Sequence, residues 1–208
     1  MQRGRFITFE GGEGTGKSTQ VGRLVDRLSA SGLDVLRTRE PGGSPGAEAI
    51  RQLVVSGAVD RWSARTELLL MFAARSDHLE QTILPALNAG RWVVCDRFAD
   101  SSRVYQGTGG GVDAALIETL DRAVVGADQP DLTLVFDLSE AIGLDRALAR
   151  GAAETRFESK GPAFHRRLRD GFARVAADHP ERCRIIDADG TPDAVAERVW
   201  AAVQPVLP

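Results

Sequence analysis

Five short apolar runs alternate along the chain with stretches of helical spacing. The first is Arg5 to Glu10, carrying Phe6, Ile7, Thr8 and Phe9. "DVLRT" from Asp34 to Thr38 is the second, "RWVVCDRF" the third, "DLTLVFDL" the fourth and "RCRIID" the fifth. Such runs, bounded by turn formers, predict strands. The third is almost wholly apolar before Asp96, as suits a parallel strand covered on both faces. Helices are predicted between them. Lys17 to Ser31 places Val21, Leu24, Val25 and Leu28 at helical spacing, and Gly32 ends it. Ala47 to Ser56 is a second helix. Ser63 caps a long third one through "TELLLMFAARSDHLEQTILPALNAG", which Pro85 bends or interrupts. "ADSSRVYQ" predicts a short polar helix, "GTGGGV" a loop, and Asp113 to Val125 another helix. Ser139 caps a helix to Arg150, Ala163 to Ala177 forms the next, and Thr191-Pro192 starts the last, to about Val203. "GAAETRFESKGP" has little periodicity and reads as a mobile loop or lid, about 150–161.

This alternation predicts an α/β fold: a five-stranded parallel sheet in three layers, with helices on both faces. Ligands of such sheets bind at the carboxyl ends of the strands. The loops after the first three strands therefore form one site. With 208 residues, no internal repeat and no linker, the chain 1–208 reads as a single domain with a lid.

One loop carries a specific chemistry. "FEGGEGTGKST" holds Gly11, Gly16, Lys17 and Ser18 in the phosphate-loop spacing, between a predicted strand and helix. Gly11, Gly12, Glu13, Gly14, Thr15 and Gly16 would present backbone N–H groups to a phosphate chain. Lys17, expected on an exposed edge of the loop, would reach the terminal phosphates. Ser18 would take Mg2+, and Thr19 continues into a helix whose positive end faces the anion. Of the 26 basic residues only Lys17 and Lys160 are lysine, so a compact ammonium stands where the loop needs one. Asp96, at the end of the third run, is placed to hold the metal shell or an acceptor oxygen. Arg39, Arg75 and Arg97 fall near the same edge. Arginines around a phosphate loop point to a second anionic substrate besides ATP.

Composition excludes other classes. The net charge of −3 argues against a nucleic-acid polymer or a membrane surface as partner, and no apolar run is long enough to span a bilayer. The start has no secretory pattern, so a cytoplasmic protein is expected. Cys95 and Cys183 lie in predicted strands and read as core thiols. His78, His165 and His179 lack metal-ligand spacing and are assigned no chemistry.

"FEGGEGTGKST", "TREPGG", "MFAARSDH" and "CDRFADSSRVYQG", in that order, resemble the bacterial thymidylate kinases, from Phe6 to about Asp187. The resemblance implies a P-loop kinase fold and transfer of phosphate from ATP to dTMP, with Mg2+, in a homodimer. By the same resemblance Lys17 and Ser18 serve ATP and Mg2+. Arg97 holds the dTMP phosphate with Asp96 beside the reacting oxygens, and Arg39 lies near that phosphate. Arg75 contacts thymine, Ser102 and Gln106 meet its polar edge, Tyr105 lies near the sugar and Glu13 near its 3′-hydroxyl. The family often has a stacking Phe four residues before the base-contacting arginine. Here that position is Met71, and Phe72 stands three before; both spacings share one helix face, which leaves the stacking residue open between the two, with Phe72 taken for the site. One subclass carries an arginine inside the phosphate loop; Gly12, Glu13, Gly14 and Thr15 include none. The resemblance then gives the catalytic charge to Arg156 in the lid, while Arg150 ends a helix and Arg146 stacks on adenine. A kinase for another monophosphate and a nucleotide-driven switch are the competing readings.

Overall fold

The computed structural model describes residues 3–58, 60–139, 141–143, 146 and 160–207. Its sheet has strands β1 (Phe6–Gly11), β2 (Val35–Arg39), β3 (Trp92–Asp96), β4 (Leu132–Asp137) and β5 (Cys183–Asp187). All neighbours are parallel, in the order β2-β3-β1-β4-β5. β1 is therefore central, and the chain steps to β2 and β3 on one side and to β4 and β5 on the other. A crevice opens where the order reverses, and Gly11 stands at its floor.

Side chains alternate along each strand, so β1 feeds two cores. Ile7 and Phe9 pack with Val21, Leu24 and Leu28 of α1 (Lys17–Ala30) and with Val195 and Val199 of α8 (Pro192–Val203). Phe6 faces the other way, against Leu79, Ile83, Leu87 and Phe98. That second face is covered by Leu79 and Ile83, which follow α3 (Ala64–His78), and by α4 (Leu84–Asn88), α5 (Ala99–Ser102) and α7 (Gly161–Asp178). α2 (Pro45–Val55) and α6 (Ala114–Val124) lie against α3. Cys95 and Cys183 are buried and free, as a core role requires. Among the described residues, no helix is long and apolar enough to cross a membrane.

Two predicted elements differ in form. The long third helix is not uniform: α3 passes through a π turn, Leu79–Ile83, before α4. Pro85 lacks an N–H and its ring crowds the carbonyl four residues back, so the wider turn relieves both faults. The predicted loop "GTGGGV" starts as helix, because a π segment runs from Arg103 through Gly109. Packing overrides glycine's weak propensity there: Val104 and Tyr105 lie on Phe164, Leu168 and Phe172 of α7. α2 also begins two residues early, at Pro45, whose fixed φ suits a first helical position. Ser63 and Thr191 cap as expected, accepting from Thr66 N and Ala194 N. Arg150, Arg156 and lid positions 150–159 lie outside the described residues.

Candidate active site

The loop after β1 owes its shape to glycine. Gly11 has φ +136°, and a Cβ there would stand 2.6 Å from the Phe136 carbonyl oxygen. Gly14 has φ +70°, and its Cβ would stand 1.8 Å from the Gly143 carbonyl oxygen. No other residue fits either place. The sequence puts Lys17 on an exposed edge; the structure buries it at 6% exposure. Its Nζ donates to the Gly11 carbonyl (3.0 Å), the Gly12 carbonyl (2.6 Å) and Thr15 Oγ1 (3.2 Å). The loop curls over the first turn of α1, so an ammonium on that turn falls inside the ring of carbonyls. Burial, with Arg97 close by, lowers its pKa to about 8.

Beside it, Ser18 Oγ donates to Asp96 Oδ2 at 2.5 Å. A hydroxyl and a carboxylate joined across the crevice are hard oxygen donors suited to Mg2+, whose shell is otherwise filled by water and phosphate. No cluster of three or more His, Cys, Asp or Glu side chains able to cage a metal occurs among the described residues. This donor set therefore fits a cation carried in with phosphates rather than one held by protein alone.

Arg97 follows β3 with φ 69°, the left-handed region, at a cost of about 1–2 kcal/mol for a residue with a Cβ. Its N–H donates to the Phe9 carbonyl at 2.9 Å, which ties this turn to β1. The side chain then lies across the loop. Nη1 donates to the Gly11 carbonyl (3.0 Å) and Ser101 Oγ (3.3 Å), and Nη2 to Glu13 Oε1 (3.1 Å). Tyr105 OH donates to the same Glu13 oxygen at 2.7 Å, and the guanidinium carbon sits 4.9 Å from the Tyr105 ring centre. Burial alone would raise the Glu13 pKa, but Arg97, Lys17 and the Tyr105 hydroxyl outweigh it and hold it near 2. Glu13, Arg97 and Tyr105 are thus one fixed ionic group.

The far end of the cavity is built from side chains. Arg75 is 2% exposed. Its Nε donates to Glu40 Oε2 (2.8 Å), Nη1 to Ser102 Oγ (3.1 Å) and Nη2 to the Phe98 carbonyl (3.0 Å). Those bonds use three of a guanidinium's five N–H donors. Glu40 is also within 3.2 Å of His78 Nδ1, and His78 Nε2 lies 2.7 Å from Thr38 Oγ1. Gln106 Nε2 donates to Glu67 Oε1 at 2.8 Å. Beneath the floor, Glu10 accepts from Phe98 N (2.8 Å), Ser101 N (3.1 Å) and Ser101 Oγ (2.6 Å). Burial, with Asp100 nearby, pushes its pKa up to about 7.

One cavity of about 460 Å3 joins the two ends. Of the residues expected at the site, Glu13, Gly14, Thr15, Gly16, Lys17, Ser18, Arg39, Arg75, Asp96, Arg97, Ser102, Tyr105 and Gln106 line it. Gly11 and Gly12 stand behind the loop as acceptors for Lys17, and Thr19 is exposed on α1. Arg39 is half exposed and paired with Glu48 at 3.0 Å. Arg146 lies at the end of β5, its Nη1 3.5 Å from the Ala188 carbonyl. Phe72 is misplaced by the sequence reading. It is 2% exposed and packs with Leu68 and Ile117, 4.7 Å below the Arg75 guanidinium; Met71 lines the cavity instead. Steps of three and four residues put these side chains on opposite flanks of Arg75, and the cavity is on the Met71 flank. Glu10, Glu40, Glu67 and His78 were not foreseen. Only the position of Glu40 inside "REPGG" marked it beforehand.

A central strand, a glycine loop, a helix and a carboxylate on the adjacent strand define a P-loop nucleotide kinase fold. A family model described as thymidylate kinase matches residues 9–199. The thymidylate kinase of Caulobacter vibrioides is 60% identical over 199 residues, covering 96% of this chain and 95% of that protein. That of Nitrobacter winogradskyi is 55% identical, covering 97% and 89%. The crystal structure of the Ehrlichia chaffeensis thymidylate kinase superposes with a TM-score of 0.80 at 32% identity, covering 97% of this chain and all of that one. The chain belongs to the thymidylate kinase family.

Proposed function

We propose that this chain transfers the γ-phosphate of ATP to dTMP, giving dTDP for dTTP synthesis. Family membership and the two-ended cavity support this reading. The carrying observation is that one cavity has a phosphate loop at one end and a buried, donor-rich polar wall at the other. ATP phosphates lie along Gly11 to Thr19, with Lys17 compensating their charge. Ser18 and Asp96 hold Mg2+ when it is bound, and the ion supplies charge neutralisation between the phosphates. Arg97 and Arg39 take the dTMP phosphate. Glu13 and Tyr105 lie at the sugar, Arg75, Ser102 and Gln106 at the base, and Met71 forms the apolar wall. Phe72 acts from below, as the surface on which Arg75 rests.

The two phosphates meet over Lys17 and Arg97, both held by loop carbonyls before substrate arrives. Transfer needs alignment and positive charge rather than a covalent intermediate. With no base in the loop interior, Arg156 adds the charge from the lid and Arg146 serves adenine. The chain is taken as one domain with that lid, as a cytoplasmic protein and as a homodimer. A panel of dTMP, dUMP, dGMP and dCMP in a coupled ADP-release assay tests the assignment. dTMP should lead strongly, with dUMP second because one methyl is worth only about 1 kcal/mol. Equal turnover of dCMP and dTMP overturns it.

A further inference from the structure

Glu67 is on α3, about two turns before Arg75. It is 4% exposed, which is costly for a carboxylate unless a neighbour uses it. One such neighbour is Gln106, 2% exposed on the π segment and part of the cavity wall. The bond is Gln106 Nε2 to Glu67 Oε1, 2.8 Å. A side-chain amide has one donating end and one accepting end, and a carboxylate can only accept. Glu67 therefore takes the NH2 end. The oxygen is the end left for the cavity.

We propose that Glu67 is a specificity-positioning residue, which fixes the Gln106 amide so that it offers the base an acceptor. The inference rests on the reading that Gln106 faces the base edge. Thymine has an N3–H donor between two carbonyls. Cytosine has a bare N3 acceptor beside an amino group. A fixed amide oxygen satisfies thymine N3–H and opposes the cytosine N3 lone pair. An amide free to turn would offer NH2 to cytosine instead, and the discrimination would fall. Gln106 alone does not distinguish the two bases; its orientation does, and Glu67 sets that orientation. Arg75, which only donates, makes the matching choice at a thymine carbonyl.

The test is the ratio of kcat/KM for dTMP over dCMP. A ratio measured on one preparation is blind to the folded fraction, so a merely structural loss does not move it. Glu67→Gln keeps the shape but can present either an oxygen or an NH2 to Gln106. The ratio should fall about tenfold or more. Glu67→Asp keeps the charge but withdraws it by one methylene, and should fall about threefold; it carries the test if the first variant is not recovered folded. Gln106→Ala should lower the ratio by itself. Adding Glu67→Gln to Gln106→Ala should change it no further, since Glu67 acts through Gln106. An unchanged ratio in both Glu67 variants, with Gln106→Ala lowering it, overturns the positioning role and leaves the site reading intact. An unchanged ratio in Gln106→Ala overturns both. A further fall in the double variant shows that Glu67 acts by another route and overturns the inference.

Discussion

The two ends of the cavity are made differently. The phosphate end is contiguous, Gly11 to Thr19, and depends on backbone: glycines with positive φ, loop carbonyls, and one lysine folded among them. The base end is assembled from the turn after β2, from α3, and from α5 with the π segment, and its contacts are mostly side chain to side chain. The chemistry of the ligands explains the contrast. A phosphate is the same in every nucleotide, so a fixed ring of N–H groups suffices. Bases differ only in donor and acceptor order, so reading one requires side chains locked in one orientation. Each lock needs a partner, and in a dry site the partner is often charged. At the base end Glu40, Glu67 and Arg75 are each no more than 6% exposed and are bonded to other side chains.

The sharpest way to break this contrast is at the phosphate end. Lys17→Ala should cost roughly a hundredfold or more in kcat/KM, by analogy with loss of a preorganised charge partner. Its melting temperature should fall by only a few degrees, because the Lys17 bonds end on backbone carbonyls rather than on a buried charged partner. A coupled assay and a thermal melt read both numbers. Near-normal turnover would remove Lys17 from the chemistry.

The base end should respond in stability as well. Glu40→Ala strips the Arg75 guanidinium of its carboxylate and leaves His78 without that oxygen. Breaking a buried pair from one side costs about 3–5 kcal/mol. Urea denaturation should show that loss, together with a raised KM for dTMP. A Glu40→Ala protein as stable as the parent would mean that the two ends do not differ in how they are held.

This contrast also explains what could be read from the sequence. The strands, their parallel sense and the phosphate loop follow from local signals: apolar runs, their alternation with helical spacing, and glycine at fixed intervals. The predicted Ser63 and Thr191 caps, the core thiols and the break near Pro85 follow from the same short-range chemistry. The base end did not. Glu67 looks like any acid in the first turn of a helix, favoured there by the helix dipole, and its 2.8 Å contact with Gln106, far along the chain, is not visible in the local sequence. Phe72 failed for a related reason. Helical spacing narrows a residue to one broad face, and a neighbouring helix decides which side of that face is cavity and which is core.

The smallest predicted effect concerns a group between the two ends. Glu10 is the last residue but one of β1, just before the phosphate loop, yet it accepts from Phe98 and Ser101 on the segment leading to the base end. Burial and the nearby Asp100 raise its pKa from 4.5 to about 7. Between those values the folded protein binds more protons at this site than the unfolded chain does. Stability from this group must therefore fall as pH rises from about 4.5 to about 7, and then level off. Glu10→Gln keeps a hydrogen-bonding side chain without the charge, and most other titrations cancel when parent and variant are compared. The parent's melting temperature relative to the variant should drop by several degrees from pH 5 to pH 8. The variant's relative gain should thus be greatest at the alkaline end. Parallel melting curves across that range would show that Glu10 keeps an ordinary carboxylate pKa. The hydrogen bonds from Phe98 and Ser101 would then offset its burial in full, and the link between the two ends would not respond to protons.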